Sequence, residues 1–484
     1  MKNSNFKRIF AVIFTFLFSS FFTKTYASTN ITLIKNVLLI DGTGAPPKES
    51  MDVEIIESKI ARIGKNLNSQ AKMIIDGTGK TLIPGLIDCH VHIRSVPGSI
   101  FRNESQSKVS DQQKIQLQAY LAAGVTTILD AATPLKLFEE VAQFQKQNNF
   151  PRFFGLTPFL TPNEGYFASS EARGTLYHDL TNPIKKITDI HDRFEEIKNI
   201  HPLGTKVVLE YGFAPLSAFR VFNSHFRRKI LEEADAAKLP IFVHSESEEA
   251  FWMAFDLKPY AFMHGGFFDK VASPEIIQKI YQSKAYVVST LAIYKMMLLM
   301  WDQKIFDEAW FRLLVPDEQI KTAKVATPEV IKLLSSQNKP WFIPQFVAEF
   351  LSQYFIRRES IEQYYQNSKI SLKAIYDSGT PIVMGSDSGN YPLFSTFFHG
   401  VGSILEVEAL LDAGIPVLEV VRASTLRAAQ MLKVDSEIGS ITEGKTADLV
   451  LLNQNPIETS RAFRDIALVF KDGRAGAPKA WLLK

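Results

Sequence analysis

The stretch that decides the fold covers residues 82–92 and reads LIPGLIDCHVH. The apolar residues that follow Gly85 predict a buried strand. His90 and His92 stand at the end of this strand, and residues two apart on a strand point to the same side. Two imidazoles on one side can chelate a single cation, so the stretch predicts a metal-binding strand end.

Three more ligand-type side chains end strand-like segments further along the chain, namely His244, His264 and Asp387. Imidazole nitrogens and a carboxylate together form a ligand set that suits Zn²⁺ and similar divalent ions. A single histidine at a strand end is as well explained by a hydrogen-bonded core residue. Five such side chains at matching positions indicate a metal site instead.

Residues 85–433 alternate between strand-like and helix-like segments. Eight strand-like segments are expected, at 85–93, 126–130, 153–160, 206–210, 241–244, 260–264, 286–291 and 382–387. Apolar residues at helical spacing lie between most of them, as in 226–237 and 404–411. Eight β/α repeats predict an α/β fold, a (β/α)8 TIM barrel, which collects its functional residues at the carboxyl ends of the strands.

Both ends of the chain are rich in short β segments. Residues 31–40 and 53–63 are strand-like before the barrel, and 447–452 and 468–473 are strand-like after it. Asp-Gly turns separate these segments. We expect residues 28–84 and 434–484 to form one small composite β-sandwich.

The first 27 residues have the pattern of a secretory signal peptide. A basic start is followed by a short apolar run over residues 9–22, and the small residues Thr25 and Ala27 then offer a cleavage site. The alternative is an uncleaved N-terminal anchor. No later stretch is long and apolar enough to suggest a stable membrane span after removal of the signal. The expected location is therefore periplasmic or secreted.

Composition excludes several classes of protein. The chain of 484 residues has one cysteine, so it has no intrachain disulfide and no cysteine-rich zinc module. The leader holds four basic residues and no acidic one, which leaves 50 basic against 51 acidic residues after its removal. Binding to nucleic acid needs a clustered basic surface, so we expect no nucleic-acid partner and a small-molecule substrate instead. Whether the chain forms a homo-oligomer is left open.

Taken together, these motifs resemble the amidohydrolase superfamily, and more narrowly its imidazolonepropionase-like and zinc-dependent Xaa-Pro dipeptidase (prolidase) branch. The segment EGKTADLV at residues 443–450 is the most diagnostic of them. The other matching segments are 82–92, 124–127, 243–244, 263–265, 385–387, 423–425, 438–441 and 455–456. The resemblance implies a TIM barrel, a composite β-sandwich and two divalent metal ions, expected to be Zn²⁺.

The resemblance also implies roles for individual residues. His90 and His92 would bind the more buried metal and His244 and His264 the second, while Asp387 would ligate the first metal and move a proton. A lysine at the end of the fourth strand, carboxylated by CO₂, would bridge the two ions.

Lys206 is the best candidate for this bridging lysine. The sequence departs from the family here, because Thr205 replaces the usual isoleucine and the preceding acidic residue is missing. An alternative alignment makes Glu210 the bridging ligand instead.

The implied function is hydrolysis of an amide or peptide-like C–N bond, on a dipeptide or N-acyl amino acid with a bulky apolar group. Tyr211 is the candidate substrate-binding residue, with a packed loop tyrosine as the alternative. Dipeptidases of this branch tend to have a Gly-Gly-His in the loop after the third strand. Residues 161–166 read TPNEGY and lack that histidine. His178 could replace it, and His399 is expected behind the site.

The stretch 292–370 is longer than one barrel helix requires and is rich in aromatic residues. These side chains either pack between helices or belong to a cap over the barrel mouth with an apolar wall. A cap of this kind would favour substrates with a bulky hydrophobic group.

Other functions remain open on the same scaffold. One is a cyclic amidase, deaminase or lactonase. The deaminases usually place a glutamate three residues after the fifth-strand histidine, where this chain has Ser247. Another is a non-catalytic exported binding protein, against which the intact ligand set argues.

Overall fold

The computed structural model describes residues 30–93, 111–144, 147, 149–166, 168, 181, 183–212, 219–324, 344, 347, 357–389 and 396–482. The predicted signal peptide, His178 and a large part of the predicted cap lie outside these residues.

The two ends of the chain share one eight-stranded sheet. Its strands are β1 (Ile31–Leu39), β2 (Lys48–Ile56), β3 (Lys59–Gly64), β4 (Met73–Asp76), β5 (Thr81–Pro84), β14 (Leu449–Leu452), β15 (Ile466–Lys471) and β16 (Arg474–Gly476). The order is β16-β15-β14-β5-β1-β2-β3, and β4 pairs with β1. Strand β14 joins the two ends, because Leu449 pairs with Pro84 on one side and with Phe470 on the other.

Residues 53–63, which are strand-like in the sequence, form a hairpin, and Val53 pairs with Ile63 across β2 and β3. One face of the sheet has its own apolar core, to which Ile34, Val53, Leu82, Leu449 and Phe470 contribute. Strands from both ends of the chain therefore belong to one sheet. Among the described residues these strands form a single sheet, and the second layer of a sandwich stays a prediction.

Eight parallel strands lie between the two ends. They are β6 (Leu86–Val91), β7 (Val125–Asp130), β8 (Arg152–Gly155), β9 (Thr205–Val208), β10 (Ile241–His244), β11 (Ala261–Phe262), β12 (Tyr286–Val288) and β13 (Ile382–Val383). Each predicted strand segment overlaps one of them, and β7, β8 and β9 begin one residue before the predicted start. They form a three-stranded sheet, β6-β7-β8, and a five-stranded sheet, β9 to β13.

Backbone contacts connect the two parallel sheets at both of their edges. Leu156 bridges Gly204 next to β8 and β9, and Val91 bridges Ser388 next to β6 and β13. At the second edge the Asp387 N–H donates to the His90 carbonyl at 2.7 Å. The arrangement is α/β and TIM-barrel-like, with the candidate ligands at the carboxyl ends of the strands.

Helices connect and flank the parallel strands. They are α1 (Asp111–Ala122), α2 (Leu135–Phe144), α3 (Thr188–Ile197), α4 (Ser224–Ala237), α5 (Glu248–Ala254), α6 (Pro274–Ser283), α7 (Ala292–Leu298), α8 (Ala309–Leu314), α9 (Arg358–Asp377), α10 (Val401–Asp412), α11 (Val417–Ala423) and α12 (Leu426–Met431). The side chain of Asn223 caps α4, and Lys238 ends it in the left-handed conformation. Within the described ranges, none of the helices combines the length and apolarity that crossing a bilayer requires.

The described part of the long stretch 292–370 packs against the body of the protein. Phe311 is buried against Phe306 and Phe398, and the Arg464 guanidinium lies over the Trp310 ring. Trp301 is half-buried and packs against the main core. The aromatic residues Trp341, Phe342, Phe346, Phe350, Tyr354 and Phe355 lie outside the described residues. The cap therefore stays a prediction.

Candidate metal centre

His90 and His92 converge on Asp387, as the spacing of the two histidines predicts. The Nε2 atoms of His90 and His92 lie 3.3 Å and 2.9 Å from Asp387 Oδ1. One ligand atom from each of the three residues lies within 4.8 Å of the others, and all three residues are buried. This group has the composition and spacing of a cation site.

Asp387 is held in an uncommon backbone conformation, with φ of 57°. Positive φ is costly for a residue with a Cβ, and it persists where the surroundings fix it. Here the Asp387 N–H is bonded to the His90 carbonyl. The carboxylate of Asp88 adds a second connection, because it accepts from the His90 N–H at 3.2 Å and from the Ser386 N–H at 3.0 Å. Burial raises the pKa of Asp88 to about 6.

His244 and His264 form a second pair directly beside the first group. His264 Nε2 lies 2.8 Å from His244 Nδ1, and His264 Nδ1 lies 3.1 Å from Thr290 Oγ1. The rings of His90 and His264 are 4.7 Å apart. The structure therefore brings all five sequence-predicted ligands into one buried cluster.

The surroundings of His90, His244 and His264 favour the neutral form of these three imidazoles. Burial, together with the charge of Lys206, keeps the pKa of His90 and of His244 well below the usual range, and the pKa of His264 is lowered mainly by burial. A neutral imidazole offers a lone pair to a cation, whereas a protonated one does not. The three rings are therefore prepared for metal binding.

Lys206 lies inside the protein with no exposed surface. Among the described residues its Nζ atom has no hydrogen-bond partner, and it lies 5.9 Å from the centre of the Phe159 ring. Burial lowers the pKa of its amine to about 7, against the opposing effect of Asp387 and Glu246. A buried lysine without a partner is unfavourable by itself, which indicates that Lys206 serves a group beyond the protein's own side chains.

The environment of Glu210 differs from that of Lys206, because backbone N–H groups donate hydrogen bonds to its carboxylate. It accepts from the Tyr211 and Glu246 N–H groups, each at 2.9 Å, and from the Ser247 N–H at 3.2 Å. The Ser247 hydroxyl also donates to it, at 3.1 Å. These contacts give Glu210 the role of anchoring the loop that joins β10 to α5.

Tyr211 is only partly buried, and its hydroxyl lies 3.8 Å from Met253 Sδ on α5. Among the described residues, its hydroxyl has no hydrogen bond to a member of the ligand cluster. His399 is buried, and its Nδ1 atom lies 2.8 Å from the Tyr120 hydroxyl. A Cβ added at Gly389 would lie 2.3 Å from both His399 Cε1 and the His92 carbonyl oxygen, so His399 packs behind His92.

Three residues near the cluster were not predicted from the sequence. Glu246 is buried, and its Oε1 lies 3.4 Å from His264 Nδ1. The Tyr166 ring is 5.0 Å from the His244 ring, and the Phe159 ring is 6.1 Å from the His92 ring. Phe159 and Tyr166 lie in the chain that follows β8, where no periodicity marks a side chain that faces the site. For Glu246 the available signal was its position two residues after His244.

The cluster fits divalent metal ions on its own chemistry. Its donors are imidazole nitrogens and carboxylate oxygens. Three buried polar atoms also lack a hydrogen-bond partner in the part of the chain that the structure describes, namely Lys206 Nζ, His244 Nε2 and Glu246 Oε2. Buried polar atoms are nearly always satisfied, so such a set calls for a bound group.

Comparison with known proteins agrees with this chemistry. The model of the Amidohydrolase family matches residues 81–476. A solved Xaa-Pro dipeptidase with bound methionine superposes with a TM-score of 0.66 at 20% identity, over 92% of this chain and 100% of that one. At this identity the likeness shows the fold alone.

The curated relatives match over shorter segments. An N-acetylglucosamine-6-phosphate deacetylase of Lysinibacillus sphaericus is 37% identical over 186 residues, 38% of this chain and 44% of that protein. A dihydroorotase of Pelotomaculum thermopropionicum is 42% identical over 66 residues, 14% of this chain and 15% of that protein. The chain thus spans less than half the length of either relative. The match to the family model covers most of the chain, and the protein belongs to the amidohydrolase family of hydrolases.

Proposed function

We propose that the protein is an exported, metal-dependent amidohydrolase that cleaves an amide or peptide-like C–N bond of a small molecule. The observation that carries the proposal is the convergence of four histidines and one aspartate with the buried, partnerless amine of Lys206. They meet at the carboxyl ends of parallel strands, where barrels of this kind place their chemistry.

We infer that the site takes two divalent ions, with zinc as the ion that best suits the donors. His90, His92 and Asp387 would hold one ion, and His244 and His264 the other. Such a pair, when bound, lowers the pKa of a water molecule and polarises the substrate carbonyl.

Asp387 is the proposed catalytic residue. Its buried carboxylate lies beside His90 and His92 at the strand end. From this position it would accept a proton from the attacking water. As water adds to the carbonyl carbon and the C–N bond breaks, Asp387 would pass that proton to the leaving nitrogen.

Lys206 is the proposed bridging residue, as a carbamate. The lone pair of its neutral amine adds to the carbon of CO₂ and one proton leaves, which produces a negative group with two oxygens. Support comes from its complete burial, its partnerless Nζ and its lowered pKa. Glu210 is the weaker candidate, because its carboxylate is already bonded to the 246–247 backbone.

The proposed substrate is a dipeptide or N-acyl amino acid with an apolar group. Phe159 and Tyr166 support this choice, because they place aromatic surface next to the ligands His92 and His244. Tyr211 stays the candidate substrate-binding residue.

The cyclic amidase, deaminase and lactonase alternatives share this scaffold. Against a deaminase stands Ser247, at the position where those enzymes have a glutamate. Its hydroxyl caps α5 by accepting from the Ala250 N–H and also donates to Glu210. A non-catalytic binding protein would hold metal and turn over none of these substrates.

We also infer the architecture and location that the sequence predicts. Residues 85–433 would close into a (β/α)8 barrel, which the backbone contacts at both sheet edges support. Residues 28–84 and 434–484 would form the composite β unit, and residues 1–27 a signal peptide. Fractionation of cells with N-terminal sequencing tests the last point: a mature chain in the periplasm or medium is expected, and an uncleaved cytoplasmic chain would refute it.

The activity is tested with a library of Xaa-Pro and Xaa-Phe dipeptides, N-acyl amino acids, cyclic amides and lactones, assayed with and without a chelator. We expect amides with a bulky apolar group to be hydrolysed, and the chelator to abolish turnover. His191→Asn is the control for His90→Asn, because His191 is exposed on α3. Turnover of small polar substrates only would refute the substrate class, and turnover in His90→Asn at the rate of the control would refute the site.

A further inference from the structure

Glu246 is a buried carboxylate that faces the second histidine pair. Its Oε1 lies 3.4 Å from His264 Nδ1, and its Oε2 lies 3.7 Å from His244 Nε2. The side chain is 3% exposed. Neither Glu246 Oε2 nor His244 Nε2 has a hydrogen-bond partner among the residues that the structure describes. Two unsatisfied ligand-type atoms therefore face each other within the protein.

The local fold gives Glu246 no structural role that requires a carboxylate. The side chain that caps α5 belongs to Ser247. The N–H of Glu246 is bonded to Glu210, but that contact involves only its backbone. Within the described ranges, no lysine or arginine nitrogen pairs with the Glu246 carboxylate at ion-pair distance. A charged carboxylate buried without a cation is strongly unfavourable, so a cation bound beside Glu246 would stabilise its charged form.

We propose that Glu246 is a protein ligand of the second divalent cation, together with His244 and His264. The proposal rests on the proposed function, and it adds a carboxylate to the pair of histidines that the sequence predicted. Two imidazoles and one carboxylate are a common set of three protein ligands for zinc, and manganese or iron accept them as well. Glu246 then neutralises part of the charge that the second cation brings into the buried site.

The test compares the full-length protein with Glu246→Gln, which keeps the size of the side chain and removes its charge. Glu249→Gln is the matched control, because Glu249 is exposed on α5 in the same segment of the chain. Metal-free forms of all three are titrated with Co²⁺, and uptake is followed by visible absorption and by elemental analysis after dialysis. Circular dichroism and thermal unfolding of the same samples report folding.

We expect the wild type and Glu249→Gln to take up two Co²⁺ per chain. Glu246→Gln should take up one ion as before and bind the second at least about tenfold more weakly. If Glu246→Gln fails to fold, Glu246→Asp replaces it, and the expected result is again weakened binding of the second ion alone. Two ions bound with wild-type affinity in the variant would overturn the role of Glu246 and leave the proposed function intact. A wild type that takes up no ion would overturn both.

Discussion

At the residue scale, the candidate site divides into side chains that the sequence could place and side chains that it could not. His90 and His92 were predictable, because the alternation of a strand puts residues two apart on one side. Glu246 and Tyr166 were not, since both follow a strand in a loop whose course depends on tertiary contacts. The choice between Lys206 and Glu210 also needed the structure, because their hydrogen bonds distinguish them. Among the described residues Lys206 Nζ has no hydrogen-bond partner, whereas the Glu210 carboxylate accepts from the Glu246 N–H.

The protonation state of the Lys206 amine should control whether it reacts with CO₂. Burial lowers its pKa to about 7, so its amine is neutral above that pH and protonated below it. Only the neutral amine reacts with CO₂. Wild-type protein in ¹³C-bicarbonate should therefore show a carbamate signal by ¹³C NMR at about pH 8.5 and lose it at about pH 5.5.

Lys206→Met is the control for this experiment, because it removes the amine and keeps an apolar side chain of similar length. Its spectrum should lack the signal at both pH values. A wild-type spectrum without a carbamate signal at the higher pH would contradict the bridging role of Lys206.

At the scale of elements, the ends of the parallel strands and the loops after them build the site. All eight strand segments were predictable from apolar runs and turn residues. Their lengths were not, because β11 and β13 keep only two residues each in regular pairing. The chain beyond these strands instead turns to place His264 and Asp387. The sequence could not decide the role of the described part of 292–370 either, because aromatic residues at helical spacing are typical of both a cap and a helix interface.

The loop between β10 and α5 should depend on Glu210 for its stability. The Glu210 carboxylate accepts four hydrogen bonds from this loop and its neighbours. Glu210→Gln turns one oxygen into a donor that faces other donors, so we expect the free energy of unfolding to fall by about 1–3 kcal/mol. Metal content should remain that of the wild type.

Urea unfolding and elemental analysis check both parts of this prediction. The control is Glu232→Gln, an exposed position on α4, which should change stability by less than about 0.5 kcal/mol. A variant that folds with wild-type stability and loses metal would make Glu210 a ligand and refute its anchoring role.

At the scale of the whole molecule, the sheet built from both termini is tied to the parallel strands by buried charges. Arg152 on β8 pairs with Asp448 at 2.8 Å and with Asp472 at 3.2 Å. Asp448 is 2% exposed, and its other cationic neighbour is Lys471 at 3.6 Å. The sequence could predict that both ends are β-rich and belong together. It could not predict the pair of Arg152 and Asp448, which lie about 300 positions apart in the sequence.

Arg152→Ala should leave the buried Asp448 carboxylate with the Asp472 N–H at 2.8 Å and the more distant Lys471 amine at 3.6 Å. We expect a loss of about 1–3 kcal/mol in the free energy of unfolding, with metal content and activity of the folded protein unchanged. Arg358→Ala removes an exposed pair with Glu362 on α9 and should cost less than about 1 kcal/mol. Equal losses in the two variants would argue against a structural connection at Arg152.

We expect the cluster of five ligand side chains to hold catalytic divalent metal ions. The five are His90, His92, His244, His264 and Asp387. The most direct measurement is the metal content of the purified protein, with amide hydrolysis followed before and after chelation. We predict two divalent ions per chain, loss of hydrolysis when they are removed and recovery when Zn²⁺ is returned. If the purified protein holds no divalent metal and a chelator leaves its turnover unchanged, the cluster is not a catalytic metal centre.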